Sequence, residues 1–233
     1  MVTDRASLPK YLQISEFLVR EIAAGRLRVG DRLPPERLMA DQMGIAVGTL
    51  RKALSRLEEQ GALERRHGSG NYIRHAGNGG SIYAFFRLER LEGGGLPRAR
   101  VLSVDRLPKP ADLPQFGTGP DAQCIRRLRM LDDTVVAAEE IWLDAALAPE
   151  LDRAALPESL YFYYREKLGI RIAGAEDRIG VAPMPDWGAP AGCAPGAPCG
   201  HVLRISRAQD GTRPEVSQTW FNSDRARYVA RNP

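Results

Sequence analysis

The chain is poor in the residues that carry most enzyme and metal chemistry. Its 233 residues include three cysteines and three histidines. So few thiols, in odd number, exclude a disulfide framework and read as free thiols in a reducing compartment. Cys193, Cys199 and His201 lie near one another, but their spacing fits no zinc pattern and a fourth ligand is missing, so no metal is expected. No apolar run is long enough for a bilayer, and the polar N-terminus lacks the order of a signal peptide. A cytoplasmic protein without a membrane partner is the expectation. No glycine-rich nucleotide loop follows a strand, and no Ser/His/Asp set can be assembled. The chain therefore reads as a non-enzyme without a cofactor.

Positive charge is present but unevenly placed. Residues 1–75 hold 13 Lys/Arg against 9 Asp/Glu, whereas residues 76–233 hold 20 of each. The net charge of +4 thus sits in the N-terminal third. A basic module joined to a neutral one suggests a part that binds nucleic acid and a part that reads something else.

The N-terminal third has the periodicity of a helical domain. Ile14, Leu18 and Ile22 recur every four residues over Lys10 to Ala24, and Gly25 follows as a left-handed stop. Arg26 to Pro34 reads as an extended arm that can pair with a later hairpin. A second helix starts at Pro35-Glu36, where proline suits the first turn, and Leu38, Met39 and Met43 are expected to face inward. Ile45 to Gly48 forms a tight turn. A third helix runs to about Gln60 with Leu50, Leu54 and Leu57 buried, and Gly61 ends it. Its first turn, Gly48-Thr49-Leu50-Arg51-Lys52, combines small residues with donors and suits a helix seated in the major groove.

Two short strands around His67-Gly68-Ser69-Gly70 then make a hairpin. Glycines let backbone approach phosphate closely, while Arg65, Arg66 and His67 supply donors. A pair such as Arg65-Arg66 alone reads as solvated surface. Its place beside a glycine-tipped hairpin, after a helix-turn-helix, gives it the functional reading. The layout is a winged helix-turn-helix.

His75 to Ser81 has the composition of a flexible linker. Beyond it, strand character appears at Ile82–Leu88, Arg100–Asp105, Asp121–Leu131, Thr134–Leu143, His201–Ala208 and Glu215–Phe221. Helical character appears at Ala148–Leu151 and Ser159–Leu168, and Pro183–Pro198 reads as a loop. Many strands and few helices argue for an α+β fold with a mainly antiparallel sheet. The expected division is a DNA-binding domain over 1–75, a linker over 76–81, and a second domain over 82–233. Arg127 and Arg129 alternate on a strand, so both point to one face and can clamp a carboxylate or phosphate. The alternative is a solvent-facing stripe paired with Glu139 or Glu140. Trp220-Phe221 read as core.

The stretch Gly30 to Ile73 resembles the GntR family of bacterial transcription regulators. The carrying motifs are G-D-R-L-P-P-E-R-L, M-G-I-A-V-G-T-L-R-K-A-L-S-R-L-E-E-Q-G and R-R-H-G-S-G. The resemblance implies DNA contacts at Arg37, Thr49, Arg51, His67 and Gly68, and the reading of the residues themselves adds Gly48, Lys52, Arg65, Arg66 and Gly70. Many relatives carry Ser-Arg where this chain has Ala46-Val47, so one arginine contact of the family is absent. The C-terminal part resembles the UTRA domain of the HutC subfamily, which implies a chorismate-lyase-like fold. It rests on Arg127-Leu128-Arg129, Glu139 ahead of Trp142-Leu143, Ser159-Leu160-Tyr161, and Glu215-Val216-Ser217 leading to Asp224-Arg225. An effector pocket is implied at Arg127, Arg129, Glu139, Ser159, Tyr161 and Glu215, and Phe86 and Arg87 are further candidates for it. Phe85-Phe86-Arg87 stands where sugar-phosphate sensors carry a small polar loop, which argues against a sugar phosphate. Residues 76–233 contain two lysines, Lys109 and Lys167, and one histidine, His201. That argues against the pyridoxal-phosphate and histidine-rich metal-binding domains found on other relatives.

The resemblance implies a homodimeric, ligand-responsive repressor on a near-palindromic double-stranded operator. A small metabolite would release it, an anionic one if the two arginines act as a clamp. Two competing readings are a lyase-like enzyme with a DNA-binding appendage and a DNA-binding dimer without an effector.

Overall fold

A computed structural model describes residues 8–74 and 81–231. The stretch 75–80, which holds most of the expected linker, lies outside the described residues. The chain divides into two compact units, one of residues 8–74, 81–84 and Gly93–Leu96, the other of Phe85–Glu92 and 97–231.

The first unit contains α1 (Lys10–Ala23), α2 (Glu36–Gln42), α3 (Val47–Glu59), β1 (Leu63–Arg66) and β2 (Gly70–Ile73). Leu18, Val19, Leu33, Met39, Leu50, Leu54, Leu57, Leu63 and Ile73 are buried together, with Ile14 and Ile22 half-buried beside them. Full burial of each large aliphatic side chain contributes about 1.5–3 kcal/mol. Leu38 departs from the inward reading and is 49% exposed. With only seven residues, α2 spans two turns, and Met39 and Ala40 alone fill its buried side. The arm before α2 does pair with the hairpin: Arg32 bridges Tyr72, and the Gly30 N–H donates to the Ile73 carbonyl at 2.9 Å. β1 and β2 pair in register from Leu63–Ile73 to Arg66–Gly70. Gly68 and Gly70 hold φ values of +71° and +120°, which glycine adopts freely.

The second unit is built on a six-stranded antiparallel sheet. A short ribbon pairs β3 (Leu88–Arg90) with β10 (Ala226–Tyr228). The strands of the main sheet are β4 (Pro97–Pro108), β5 (Asp121–Leu131), β6 (Thr134–Asp144), β7 (Ile172–Pro183), β8 (Pro198–Ala208) and β9 (Glu215–Phe221), in the spatial order β4-β5-β6-β9-β8-β7. α4 (Leu160–Tyr163) runs on into a wider turn over Tyr164–Leu168, closed by Gly169 at φ +68°. Apolar residues cover both faces of the sheet. Ile125, Ile141 and Leu143 pack with Leu160 and Tyr164 on one side. Leu128, Ala138 and Trp220 pack with Met184 and Ala191 on the other.

Three local expectations are corrected. Within Ile82–Leu88, Ile82 to Phe85 form a turn, and the strand is confined to Leu88–Arg90. Its apolar run packs instead of pairing: Ile82 and Tyr83 are buried in a turn. Ala148–Leu151 is not helical, and a single tight turn occurs at Arg153–Ala155, capped by Asp152. β7, twelve residues long, is absent from the strands expected on sequence grounds. It is an edge strand interrupted by glycine and charge, and lacks the alternation that marks a half-buried strand.

Candidate functional site

Two groups of residues fit functional roles, one in each unit. In the first, α3 begins at Val47 with Ala46 as its cap, so Gly48, Thr49, Arg51 and Lys52 fall within its first two turns. Leu50 and Leu54 anchor the helix, which leaves Gly48, Arg51 and Lys52 exposed and Thr49 half-exposed. The Arg51 Nε donates to Glu36 Oε2 at 2.7 Å, with the arginine side chain 63% exposed. The hydrogen bond from Arg51 holds the Glu36 carboxyl below its ordinary range. Glu36, at the start of α2, therefore steadies Arg51 on the surface. Arg37, the next residue along α2, is exposed on that same helix start.

The hairpin separates residues that the sequence treats alike. Arg65 folds back on α3: it pairs with Glu58 at 3.1 Å and donates to Ser55 Oγ at 2.8 Å and to the Arg51 carbonyl at 3.3 Å. Its guanidinium is engaged in tying hairpin to helix. Arg66 instead lies over the Tyr72 ring at 4.4 Å, and Ser69 and Tyr72 share a hydroxyl hydrogen bond of 2.7 Å. His67, Gly68 and Gly70 are exposed around the tip. Glu16, on α1, is wholly buried. It accepts from Ser81 Oγ at 2.6 Å and from the Ile82 N–H at 3.1 Å. Burial pushes this carboxyl up, against those hydrogen bonds.

In the second unit, strand register brings charged side chains to one face of the sheet. Arg127 lies opposite Glu139, Thr219 is next across the sheet, and Ser217 pairs with Arg204 and Arg204 with Asp177. The arginines do not form a solvent stripe: the side chains of Arg127 and Arg129 are 7% and 2% exposed. Arg127 donates to Glu139 at 2.5 Å, and both arginines donate to the Glu158 carbonyl, at 3.3 and 3.1 Å. The Arg129 guanidinium lies over Phe86 at 4.4 Å, and Phe85 meets Tyr161 edge-on at 5.9 Å. Glu215 accepts from Tyr161 and Ser206 at 2.9 Å and from Tyr164 at 2.7 Å. Arg204 grips Asp177 through two contacts of 2.6 Å, and Tyr228 donates to the same carboxylate at 2.5 Å.

Thus Phe86, Arg127, Arg129, Glu139, Tyr161 and Glu215 belong to one connected cluster. Arg87 lies at its edge and lends charge to Asp177. Ser159 plays a different part, because its Oγ accepts from the Phe162 N–H at 3.3 Å and caps α4. Sequence reasoning missed Asp177, Tyr164, Arg204 and Ser206. The alternation Val202, Arg204, Ser206 was the available signal, since it places both polar residues on one face.

The electrostatics of the cluster oppose one another. Burial favours the neutral form of Glu139, but the charges of Arg127 and Arg129 outweigh it and hold the carboxyl low. Burial likewise acts against charge at Asp177, and the hydrogen bonds from Arg204 and Tyr228, with the Arg204 charge, again win. At Glu215 burial prevails over three hydroxyl donors, and the carboxyl is raised above its ordinary 4.5. A depressed carboxyl adds stability above its unfolded value and loses it as pH falls. The contribution of Asp177 should therefore fade as pH drops through 3.8 and below. A raised carboxyl acts with the opposite sign, adding stability at low pH that is lost as pH rises past 4.5. Glu215→Gln is accordingly expected to gain on wild type as pH rises from 4.5 towards about 7. Denaturant melts of both chains across that range would show it, and a pH-independent difference would contradict it.

On the opposite face, Cys199 donates to the Ala182 carbonyl at 3.3 Å, and His201 bonds to Gln218 at 3.1 Å beside Trp220. Trp220 and Phe221 are core residues, 9% and 7% exposed. Among the described residues no helix is long and apolar enough to cross a membrane.

Comparison with known proteins assigns both units. Residues 10–73 match the bacterial regulatory proteins of the gntR family, and residues 92–227 match the UTRA domain. The HTH-type transcriptional regulator SmoD of Agrobacterium fabrum is 55% identical over 226 residues, covering 97% of each chain. The chain belongs to the gntR family. The HTH-type transcriptional repressor NagR of Bacillus subtilis is 27% identical, covering 98% of this chain and 96% of its own. The second unit has the fold of the ligand-binding domain of a GntR-family regulator from Bordetella bronchiseptica, with a TM-score of 0.56 at 24% identity. That match covers 64% of this chain and 98% of the other. The chain is thus a GntR transcription regulator with a DNA-binding helix-turn-helix and a UTRA domain, and its relatives are named as regulators, not enzymes.

Proposed function

We propose that this regulator is a cytoplasmic, homodimeric repressor that a small metabolite releases from a near-palindromic operator. The DNA-binding domain spans 1–75 and the effector domain 82–233, joined through 76–81. Gly48, Thr49, Arg51 and Lys52 enter the major groove, with Arg37 on the adjoining backbone. Arg66, His67, Gly68 and Gly70 carry the wing to neighbouring phosphates and the minor groove. Arg65 acts from behind, holding the wing to α3.

The observation that carries the sensing half is the buried polar face. Arg127, Arg129 and Glu139 are desolvated on the sheet with Arg204, Asp177 and Glu215. Replacing buried ion pairs by apolar side chains is often neutral or stabilising, so a domain that only dimerised would have little use for this array. Such clusters of perturbed groups mark binding sites. Arg127 and Arg129 receive an anionic group of the effector beneath Phe86, with Arg87 at the edge. Tyr161 and Glu215 meet its hydroxyls, and Ser159 shapes the wall through its cap.

A route to the reading head follows the chain. Ser81 and Ile82 are held by Glu16 of α1, and Phe85 and Phe86 stand on the polar face within the next four residues. A ligand that reseats Phe86 acts on the segment anchored to α1. It can shift DNA binding only as far as it prefers one arrangement, typically about 5–150-fold.

The test is a thermal-shift screen of metabolites on the full chain, followed by operator release. A hit that stabilises the protein and weakens operator binding supports the reading. A screen without hits, together with operator binding unmoved by any metabolite, would leave a DNA-binding dimer without an effector. Arg129→Ala is expected to abolish the response to the hit while leaving operator affinity within about threefold, and an unchanged response would remove Arg129 from the pocket.

A further inference from the structure

α1 buries two charged side chains that its apolar core does not use. Glu16 and Arg20 lie four residues apart, hence on one face of the helix, and are 0% and 9% exposed. A buried charge is costly unless it is hydrogen-bonded. Hydrogen-bond partners for both come from beyond residue 74. Glu16 accepts from Ser81 and Ile82, and the Arg20 Nε donates to the Gly95 carbonyl at 3.0 Å. The run Gly93-Gly94-Gly95 permits this close approach. Its φ values are +91°, +66° and +92°, which glycine adopts freely, and Gly94 and Gly95 are buried. A Cβ on Gly94 would stand 2.2 Å from Arg26 Nη2 and 3.0 Å from Glu21 Oε1. Those two side chains form a fork of two 2.6 Å hydrogen bonds at the end of α1.

The two segments give the chain a doubled path. Residues 81–84 belong to the first unit, Phe85–Glu92 to the second, Gly93–Leu96 to the first again, and the strands from Pro97 onward to the second. The backbone thus passes between the units three times, where a simple linker passes once. Each anchored segment leads within a few residues to the polar face. Phe86, four residues after Ile82, lies against the Arg129 guanidinium. Ala99 and Val101 of β4, four and six residues after Gly95, pair with Arg129 and Arg127.

We propose that Glu16 and Arg20 are coupling residues: they fasten two segments of the second domain's sequence to α1, and a bound effector acts on the reading head through both. The inference rests on the effector reading above and adds a second path, through Gly95 and β4, that does not run through Phe86. The full chain with a protease recognition sequence inserted between Asn78 and Gly79, cut and then sized by gel filtration, tests it. Cut wild type should elute as one complex, because residues 81–84 and 93–96 still complete the fold around α1. Glu16→Ala and Arg20→Met each remove one of two anchors, and should weaken retention of the N-terminal fragment roughly tenfold or more. Ser81→Glu, which sets a second carboxylate against Glu16, and Gly94→Val should do the same while leaving the sequence of α1 untouched. They carry the test if a change within the helix unfolds it. Operator binding should follow the complex. For DNA selected from a random pool by the uncut chain, cut wild type should keep its affinity within roughly threefold, and the cut variants should lose roughly tenfold or more.

Separation of the fragments of cut wild type would overturn the clasp and leave the effector reading standing. Undiminished retention in Ser81→Glu or in Gly94→Val would overturn the double anchor. A cut wild-type complex that holds together but loses the operator would overturn the route to the reading head. The cut-chain experiment uses no metabolite, so its failure is distinct from a failure of the metabolite screen.

Discussion

Arg51→Ala is expected to weaken operator binding by about 1–3 kcal/mol while the protein stays folded. The side chain projects from the first turns of α3, and Leu50 and Leu54 fix that helix from behind. Its Nε contact with Glu36 is a surface ion pair, and such pairs contribute about 0–1 kcal/mol to stability. Loss of the pair should therefore barely move the melting temperature. Loss of the donor removes a contact to base or phosphate, and in the phosphate case also lowers the salt slope of binding by about one. Effector binding should be unaffected, because the contacts of Arg51 with Glu36 and Arg65 lie within the winged helix. Fluorescence anisotropy at two or more salt concentrations measures both effects. Equal affinity for wild type and variant would exclude the docking of α3.

Arg127→Ala should be damaging for a different reason. It leaves the Glu139 carboxylate buried without its main partner, at a distance from solvent where repair is not available. Breaking a buried pair in this way costs about 3–5 kcal/mol. For a protein of this size the melting temperature of the second unit should fall by on the order of 10 °C. Replacing both partners, as in Arg127→Met with Glu139→Leu, removes the unpaired charge and should recover most of that loss. The double variant should still fail to bind the effector. Recovery of stability with loss of binding would show that the pair is kept for recognition. A double variant as unstable as Arg127→Ala would mean that the pair holds the fold instead.

The winged helix was legible because its signals are local. Four-residue spacing defined α1 and α3, and Gly25, Gly44 and Gly61 mark the helix ends with φ values of +73°, +62° and +73°. The hairpin followed from Gly68 and Gly70. What could not be read was the fate of individual charges. Arg65 and Arg66 are neighbours of one type, yet alternation on β1 turns Arg65 back to Ser55 and Glu58 while Arg66 covers Tyr72. Glu16 looks in sequence like a solvated helix residue and is fully buried, because Ser81 and Ile82, 65 and 66 residues away, complete its hydrogen bonds.

The same limit applied to the sheet. Arg127 and Arg129 could be placed on one face by period two, but their burial depends on Glu158 and Phe86 arriving from elsewhere in the chain. Asp177 and Arg204 were missed because they lie 27 residues apart on different strands, and only the register of β7 on β8 makes them a pair. Ser159 was assigned to the pocket through its motif, whereas its oxygen caps the helix that carries Tyr161 and Tyr164.

Selection of DNA from a randomised pool by the full chain tests the central claim most directly, and it needs neither an operator nor an effector known beforehand. Enrichment of an inverted repeat by wild type, and no enrichment of it by Arg51→Ala, is the expected result. A pool that stays random with wild-type protein, or the same repeat selected equally well by Arg51→Ala, would contradict it.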